Sequence, residues 1–326
     1  MRSSLLAFVM AFLASIGSPG ASAQPSPSVP ILGIITPHAS PDAPPWRVFR
    51  AQLAKLGYVE GRTIHLVFGF ADGDLTRMPA LAKEMAMRKV DVLVTDGGVV
   101  SAAAAQAATS TIPIVAATFG GDPVASGFVQ TMARPGGNIT GFSTASSELA
   151  AKRLELVKEV MPYASHVGVA WNRAGTDAQA KLMMQAAPAF TLKVTPVPLD
   201  ITSDLKGQIE AAAALGIEVL ILMPDGALFH RRSELISSIA DARLAAMYPE
   251  REYVDAGGLM SYGPLIMDNF RGTADYVDKI LRGVKVADLP VQAPSRFEFI
   301  LNQKVARAQA LLWPEGLLNR ADEVIE

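Results

Sequence analysis

Apolar residues in this chain fall into two alternating rhythms. Short runs rich in β-branched residues recur at Ile31–Thr36, Thr63–Phe70, Val90–Thr95, Ile112–Thr118, His166–Trp171, Thr191–Leu199, Glu218–Met223, Gly258–Ser261 and Phe297–Leu301. Between them the period lengthens to that of a helix, over Arg47–Leu56, Met78–Arg88, Val99–Thr109, Ser147–Met161 and Asp204–Leu215. This alternation predicts parallel sheets covered by helices on both faces. In the stretch Ser147–Met161, Ala150, Leu154, Val157 and Met161 share one helical face, and Pro162 stops the helix. The turn cluster Pro135–Asn138 precedes that helix, so a boundary between two units is expected near Ser143.

The first residues follow a different logic. Arg2 precedes the apolar run Leu5–Leu13, and Ala21-Ser22-Ala23 offers a small-residue cleavage site. A positive start, a short apolar core and an A-x-A end predict a cleaved secretory signal peptide over residues 1–23. The run is too short to span a bilayer, which takes about 20 apolar residues. Residues 24–30, rich in Pro and Ser, read as a flexible lead-in. The chain has no cysteine, so an exported protein of this sequence depends on core burial rather than disulfides, and it lacks a lipid-anchoring cysteine. The periplasm is the expected location.

Composition narrows the function further. The 326 residues are 50% hydrophobic with a formal net charge of −2, enough for two domains and without the basic stripe of a nucleic-acid surface. Dinucleotide, P-loop, zinc-protease and nucleophile-elbow motifs are missing, and the four histidines are scattered without metal-ligand spacing. No cofactor, no metal and no catalytic residue is expected.

Ligands of parallel sheets bind beyond the carboxyl ends of the strands. The strand exits read Thr36-Pro37-His38, Asp96-Gly97-Gly98, Thr118-Phe119-Gly120-Gly121-Asp122, Trp171-Asn172-Arg173, Pro224-Asp225-Gly226 and Ser261-Tyr262-Gly263. From these, the candidate ligand-binding residues are Thr36, Pro37, Asp96, Gly97, Gly98, Thr118, Phe119, Asp122, Trp171, Asn172, Asp225, Ser261 and Tyr262. Glycines let a backbone approach a ligand, and free N–H groups at a helix start hold a carboxylate. Aromatic rings stack on an apolar body, and aspartates accept an ammonium. Each has a plainer role: Asp122 and Asp225 as helix caps, Phe119 and Trp171 as core aromatics, Tyr262 as packing at a domain connection.

The blocks "STIPIVAATFGGDPVASGFVQTMARPGGNITG", "ELAAKRLELVKEVMP", "REYVDAGGLMSYGP" and "YVDKILRGVKVADLPVQAPSRFEFILN" resemble the ABC-transporter substrate-binding family that includes tryptophan- and tyrosine-binding members. The resemblance runs from about Ile31 to Glu326. It implies an α/β, type I periplasmic binding protein fold: two doubly wound parallel-sheet lobes joined by a three-crossing hinge. Carried over, the N-terminal lobe is 31–142 plus 264–288 and the C-terminal lobe 143–263 plus 289–326. The implied function is a monomeric receptor that captures a small molecule, an amino acid or an aromatic or branched carboxylate, and delivers it to an inner-membrane ABC permease. A ligand-sensing module for a membrane receptor and an exported α/β enzyme are the alternatives. The chain departs from many relatives at Asp96, where small or hydroxyl residues are usual, and at Trp171-Asn172-Arg173, where relatives often carry an Asn-Pro turn.

Overall fold

The computed structural model describes residues 29–120, 122–144, 147–174, 177–314 and 316–326. The expected signal peptide, residues 1–23, and the lead-in up to residue 28 lie outside the described residues, as does Gly121 of the loop after the fourth strand.

Two sheets organise the chain. The first contains β1 (Ile31–Thr36), β2 (His65–Phe70), β3 (Val92–Thr95), β4 (Ile114–Ala116) and β5 (Ile139–Gly141), all parallel, in the order β2-β1-β3-β4-β5. The second contains β6 (His166–Asn172), β7 (Lys193–Leu199), β8 (Val219–Leu222), β9 (Ala245–Tyr248), β10 (Met260–Pro264), β11 (Phe297–Asn302) and β12 (Glu323–Ile325). Its order is β12-β11-β10-β9-β8-β6-β7, and only the β10–β11 pair is antiparallel.

The strands are apolar on both faces because helices cover both, and the pleat sorts their side chains. Leu32, Ile34, Val92 and Val94 face α1 (Pro44–Lys55) and α10 (Ile266–Leu281). Ile35, Leu93, Ile114 and Ala116 face α2 (Met78–Met87) and α3 (Gly98–Ala108). In the second sheet, Val167, Val169, Val219 and Ile221 meet α4 (Ser147–Val160) and α5 (Ala178–Ala186). Ala170, Leu199, Leu220 and Leu222 meet α6 (Leu205–Ala214), α7 (Gly226–His230) and α8 (Arg232–Asp241). Tyr253 of α9 (Arg251–Asp255) closes that face. The last helix, α11 (Gln303–Ala308), returns to the α4 side through Ala306.

Helix α10 follows β10 of the second sheet yet packs with the first. Trp46, fully buried, holds it there: its ring meets Phe49, Phe68 and Phe270 edge-on, with centroids 5.6, 5.8 and 5.0 Å away. Its indole N–H donates to Thr36 Oγ1 at 3.1 Å, so the buried donor is satisfied.

The chain passes between the sheets three times, and the crossings are laced together. Ser143 N donates to Gln292 O at 2.8 Å and Gln292 N to Gly141 O at 3.0 Å, while Leu265 N donates to Arg296 O at 3.1 Å. The return strand β11 enters the second sheet from the end at which β10 leaves it, which makes this pair antiparallel. Leu289 and Val291 are buried against the first sheet.

The hydrophobic pattern misses β5, β9 and β12. Two of these have three residues, and β9 is Ala245-Ala246-Met247-Tyr248, whose first three residues favour helix and continue the apolar rhythm of α8.

Gly141, at the end of β5, has φ +147°, and a Cβ there would stand 2.0 Å from Ala116 O. Both strain and a backbone clash oppose a side chain. Gly141→Ala is expected to lower the unfolding free energy by about 3 kcal/mol. Circular-dichroism melts check this, and a midpoint equal to wild type would remove the argument.

Candidate functional site

The carboxyl ends of the two sheets face each other. Between them lies a cavity of about 100 Å³. The first lobe contributes Pro37 and His38 after β1, Asp96, Gly97 and Gly98 after β3, and Thr118 and Gly120 after β4. The second contributes Pro224, Asp225 and Gly226 after β8, and Glu250 and Glu252 after β9. Phe229 and Phe270 add aromatic wall, and Thr144 lies on the first crossing.

The lobes touch at the cavity's edge. Gly97 adopts φ +115° as it turns from β3 into α3, a conformation only glycine takes without strain. Opposite it is Gly226, where an added Cβ would meet Gly97 O at 3.6 Å. This is a closed cleft. The first turn of α3 has no side-chain cap, so its N–H groups are available to a bound anion.

Asp96 is held by its neighbours. Thr118 Oγ1 donates to Oδ1 at 3.0 Å, Thr36 Oγ1 donates to Oδ2 at 3.3 Å, and His38 Nε2 lies 3.5 Å from Oδ2. Asp225 caps α7, accepting from Ala227 N and Leu228 N at 2.9 Å each. Asn172 Nδ2 donates to both Asp225 oxygens at 3.2 Å and fixes the carboxylate's plane.

The two glutamates stand in a poorer environment. Burial pushes the Glu250 carboxyl up to about 8; Glu252, Asp96 and Asp225 add to the rise, and Arg153 opposes it. Asp96 does so from the opposite lobe. Glu252 is also raised, first by burial and then by Asp255, against the pull of Arg232 and Arg251. Arg153, 1% exposed, lies behind this wall and donates to Tyr262 O at 2.9 Å and Pro249 O at 3.4 Å. Burial lowers its guanidinium to about 10, so it remains cationic at neutral pH. Among the described residues, no three potential ligands are grouped to hold a metal ion.

Of the residues expected from sequence, Pro37, Asp96, Gly97, Gly98, Thr118 and Asp225 line the cavity. Thr36 and Asn172 stand behind it, each bonded to an aspartate of the wall. Five lie elsewhere. Phe119 is fully buried against Phe128, with centroids 5.7 Å apart, and Gly120 takes its place on the wall. Asp122 is exposed and caps its own turn, accepting from Val124 N at 2.8 Å. Trp171 packs into the second lobe's core, and Ser261 is fully buried. Tyr262 stacks on Phe297 at 6.0 Å.

The wall also holds residues that the strand pattern did not reveal. Glu250 and Glu252 follow β9, a strand whose Ala245-Ala246-Met247 start carries no strand signature. Phe229, Phe270 and Thr144 lie on helices or a crossing rather than at strand exits. His38 follows β1, and the fold turns it toward Asp96.

A family described as ABC transporter substrate binding protein matches residues 46–325. The chain belongs to this family. Its members are substrate-binding proteins rather than enzymes; they work outside the cytoplasm, bind small molecules and interact with ABC permeases. The chain is 27% identical over 263 residues to the tyrosine-binding protein of Clostridioides difficile (strain R20291), covering 80% of this chain and 74% of the relative. Among solved structures it is similar to an ABC domain in complex with L-Trp from Streptococcus pneumoniae, with TM-score 0.84, 22% identity, and coverage of 91% of this chain and 100% of that one. A Vibrio cholerae conserved domain protein gives TM-score 0.81 at 25% identity, over 91% and 99%. The ligand-free, open structure of a Clostridium difficile substrate binding protein gives 0.66 at 25% identity, again over 91% and 99%. The fold is that of a type I periplasmic binding protein, two α/β lobes about a cleft. No helix among the described residues is long and apolar enough to cross a membrane.

Gly226 approaches Gly97 across this cleft. Gly226→Val places methyl groups in that gap without touching a core. It is expected to weaken capture of any compound the wild type binds by about tenfold, or about 1.4 kcal/mol, with an unchanged melting curve in the absence of that compound. Isothermal titration checks it, and wild-type affinity would show that closure does not need this contact.

Proposed function

We propose that this chain is a monomeric periplasmic receptor, exported by a cleaved signal peptide, that captures a small amine-bearing solute between its lobes and delivers it to an inner-membrane ABC permease. We read it as a binder, not a catalyst. The observation that carries the proposal is the cavity itself, walled by strand ends of both lobes that meet through Gly97 and Gly226. A ligand that touches both walls stabilises the closed state by its differential contacts, which is how a hinge protein registers capture.

The lobes of this reading are 31–142 plus 264–288 and 143–263 plus 289–326. The burial of Leu289 and Val291 against the first sheet supports a return crossing a few residues later, near Gln292.

The wall suits a compound with three parts. An ammonium finds Asp96, Asp225, Glu250 and Glu252. An apolar body finds Phe229, Phe270 and Ile266. A carboxylate, where the ligand has one, finds the uncapped start of α3. An amino acid has all three, and relatives named for tyrosine and L-Trp support that class.

A thermal-shift panel of amino acids, amines, aromatic and branched acids and nucleobases tests the reading. A compound at about 1,000 times its dissociation constant adds about 4 kcal/mol of stability, a shift of several degrees. The expected outcome is a shift confined to amine-bearing members. No shift across the panel, together with no small molecule recovered from the purified protein by mass spectrometry, would count against a receptor.

A further inference from the structure

We infer that the cleft selects an organic cation: a primary amine with an apolar body and no carboxylate of its own. The inference rests on the reading of this cleft as the receptor's binding site, and it names the charge of what enters.

Four carboxylates line the cavity, and His38, paired with Asp96, is the one basic side chain among the described residues that line it; Arg232 packs behind the wall on the Phe229 ring, 4.6 Å from its centroid. Arg153 does not join the wall; its guanidinium is spent on the carbonyls of Tyr262 and Pro249. The acids are split between the lobes, with Asp96 on one side and Asp225, Glu250 and Glu252 on the other. Closing an empty cleft therefore drives like charges together, and a bound cation reverses the sign of that interaction. A zwitterion brings the same ammonium but adds a negative group of its own.

A second observation points to a ligand in this cavity. Thr144 lies on the wall, 3% exposed, and its Oγ1 has no hydrogen-bond partner among the described residues. Buried hydroxyls are nearly always bonded, so this one, which can donate or accept, suits a polar group of the ligand. The opposing feature is the uncapped α3, which favours a carboxylate. The comparison of each amine with its parent amino acid therefore decides the matter.

A pH dependence follows. Glu250 faces Glu252 on its own helix, Asp96 after β3, Asp225 and Tyr253 on the same side, and Arg153 from α4. With its carboxyl raised to about 8, Glu250 holds a proton at neutral pH in the empty closed cleft. A cation favours the ionised form, so capture releases that proton. Affinity rises with pH toward about 8, by up to about tenfold per unit, and levels off above it while the amine stays protonated.

The test uses protein expressed from the full-length gene, purified and freed of small molecules. Isothermal titration compares tryptamine with tryptophan, tyramine with tyrosine, and isopentylamine with leucine. The expected result is that the amine of at least one pair binds about tenfold tighter than its amino acid. Asp96→Asn should weaken that amine by about tenfold, and Glu250→Gln should flatten the pH profile, while both keep the wild-type circular-dichroism spectrum. Amino acids that bind while their amines bind more weakly or equally would overturn the inference and leave the receptor standing. Silence from both members of every pair at about 1 mM would also overturn it, and any compound recovered from the purified protein then judges the receptor reading separately.

Discussion

Like charges facing each other across a cleft are the constraint around which this molecule is arranged. Asp96 projects from one lobe, and Asp225, Glu250 and Glu252 from the other. Charges of one sign repel more strongly in a partly desolvated cleft than in water. That repulsion opposes the closed form, and the protein answers it only in part. Thr36, Thr118 and His38 stabilise Asp96, and Asn172 with two helix N–H groups stabilises Asp225. Glu250 has no comparable set of donors among the described residues, and burial, with the neighbouring acids, raises its pKa. A cation between the lobes supplies what the protein leaves out.

The fold makes this arrangement possible through direction. Because the strands that reach the cleft run parallel within each sheet, their carboxyl ends and the helix starts that follow all collect at one edge. Facing those two edges brings uncapped or acid-capped helix starts together at close range. The three laced crossings tie the lobes together beside the cleft. The aromatic cluster at Trp46 fixes α10 to the first lobe, so Phe270 and Ile266 move with Asp96 rather than with the glutamates.

How much of this the sequence made legible follows from local physics. β-branched runs bounded by turn residues identify nine of the strands, and the exits of β1, β3, β4 and β8 led to wall residues. Resolution failed where adjacent residues diverge. Phe119 and Gly120 are neighbours in the loop after β4, but Phe119 turns into the core while Gly120, at φ +65°, brings its backbone to the cavity. Trp171 and Asn172 divide in the same way: the ring joins the helices behind the sheet and the amide reaches Asp225. The largest gap came from β9. Ala245-Ala246-Met247 carries no strand signature, so Glu250 and Glu252 were invisible although they set the charge of the site.

Arg153 shows why the glutamate wall cannot be treated apart from the hinge. A buried guanidinium is costly unless its donors and its charge are both matched. Its donors go to the carbonyls of Tyr262, within β10, and Pro249, just after β9, and Glu250 favours its charged form. Tyr262 stands two residues before the chain leaves for α10, and Pro249 directly precedes Glu250. One side chain thus joins the crossing, the strand end and the titrating acid. A proton on Glu250 leaves Arg153 less well compensated, and loss of that proton restores the pair. The charge state of the cavity and the anchoring of the crossing are therefore set by the same buried ion.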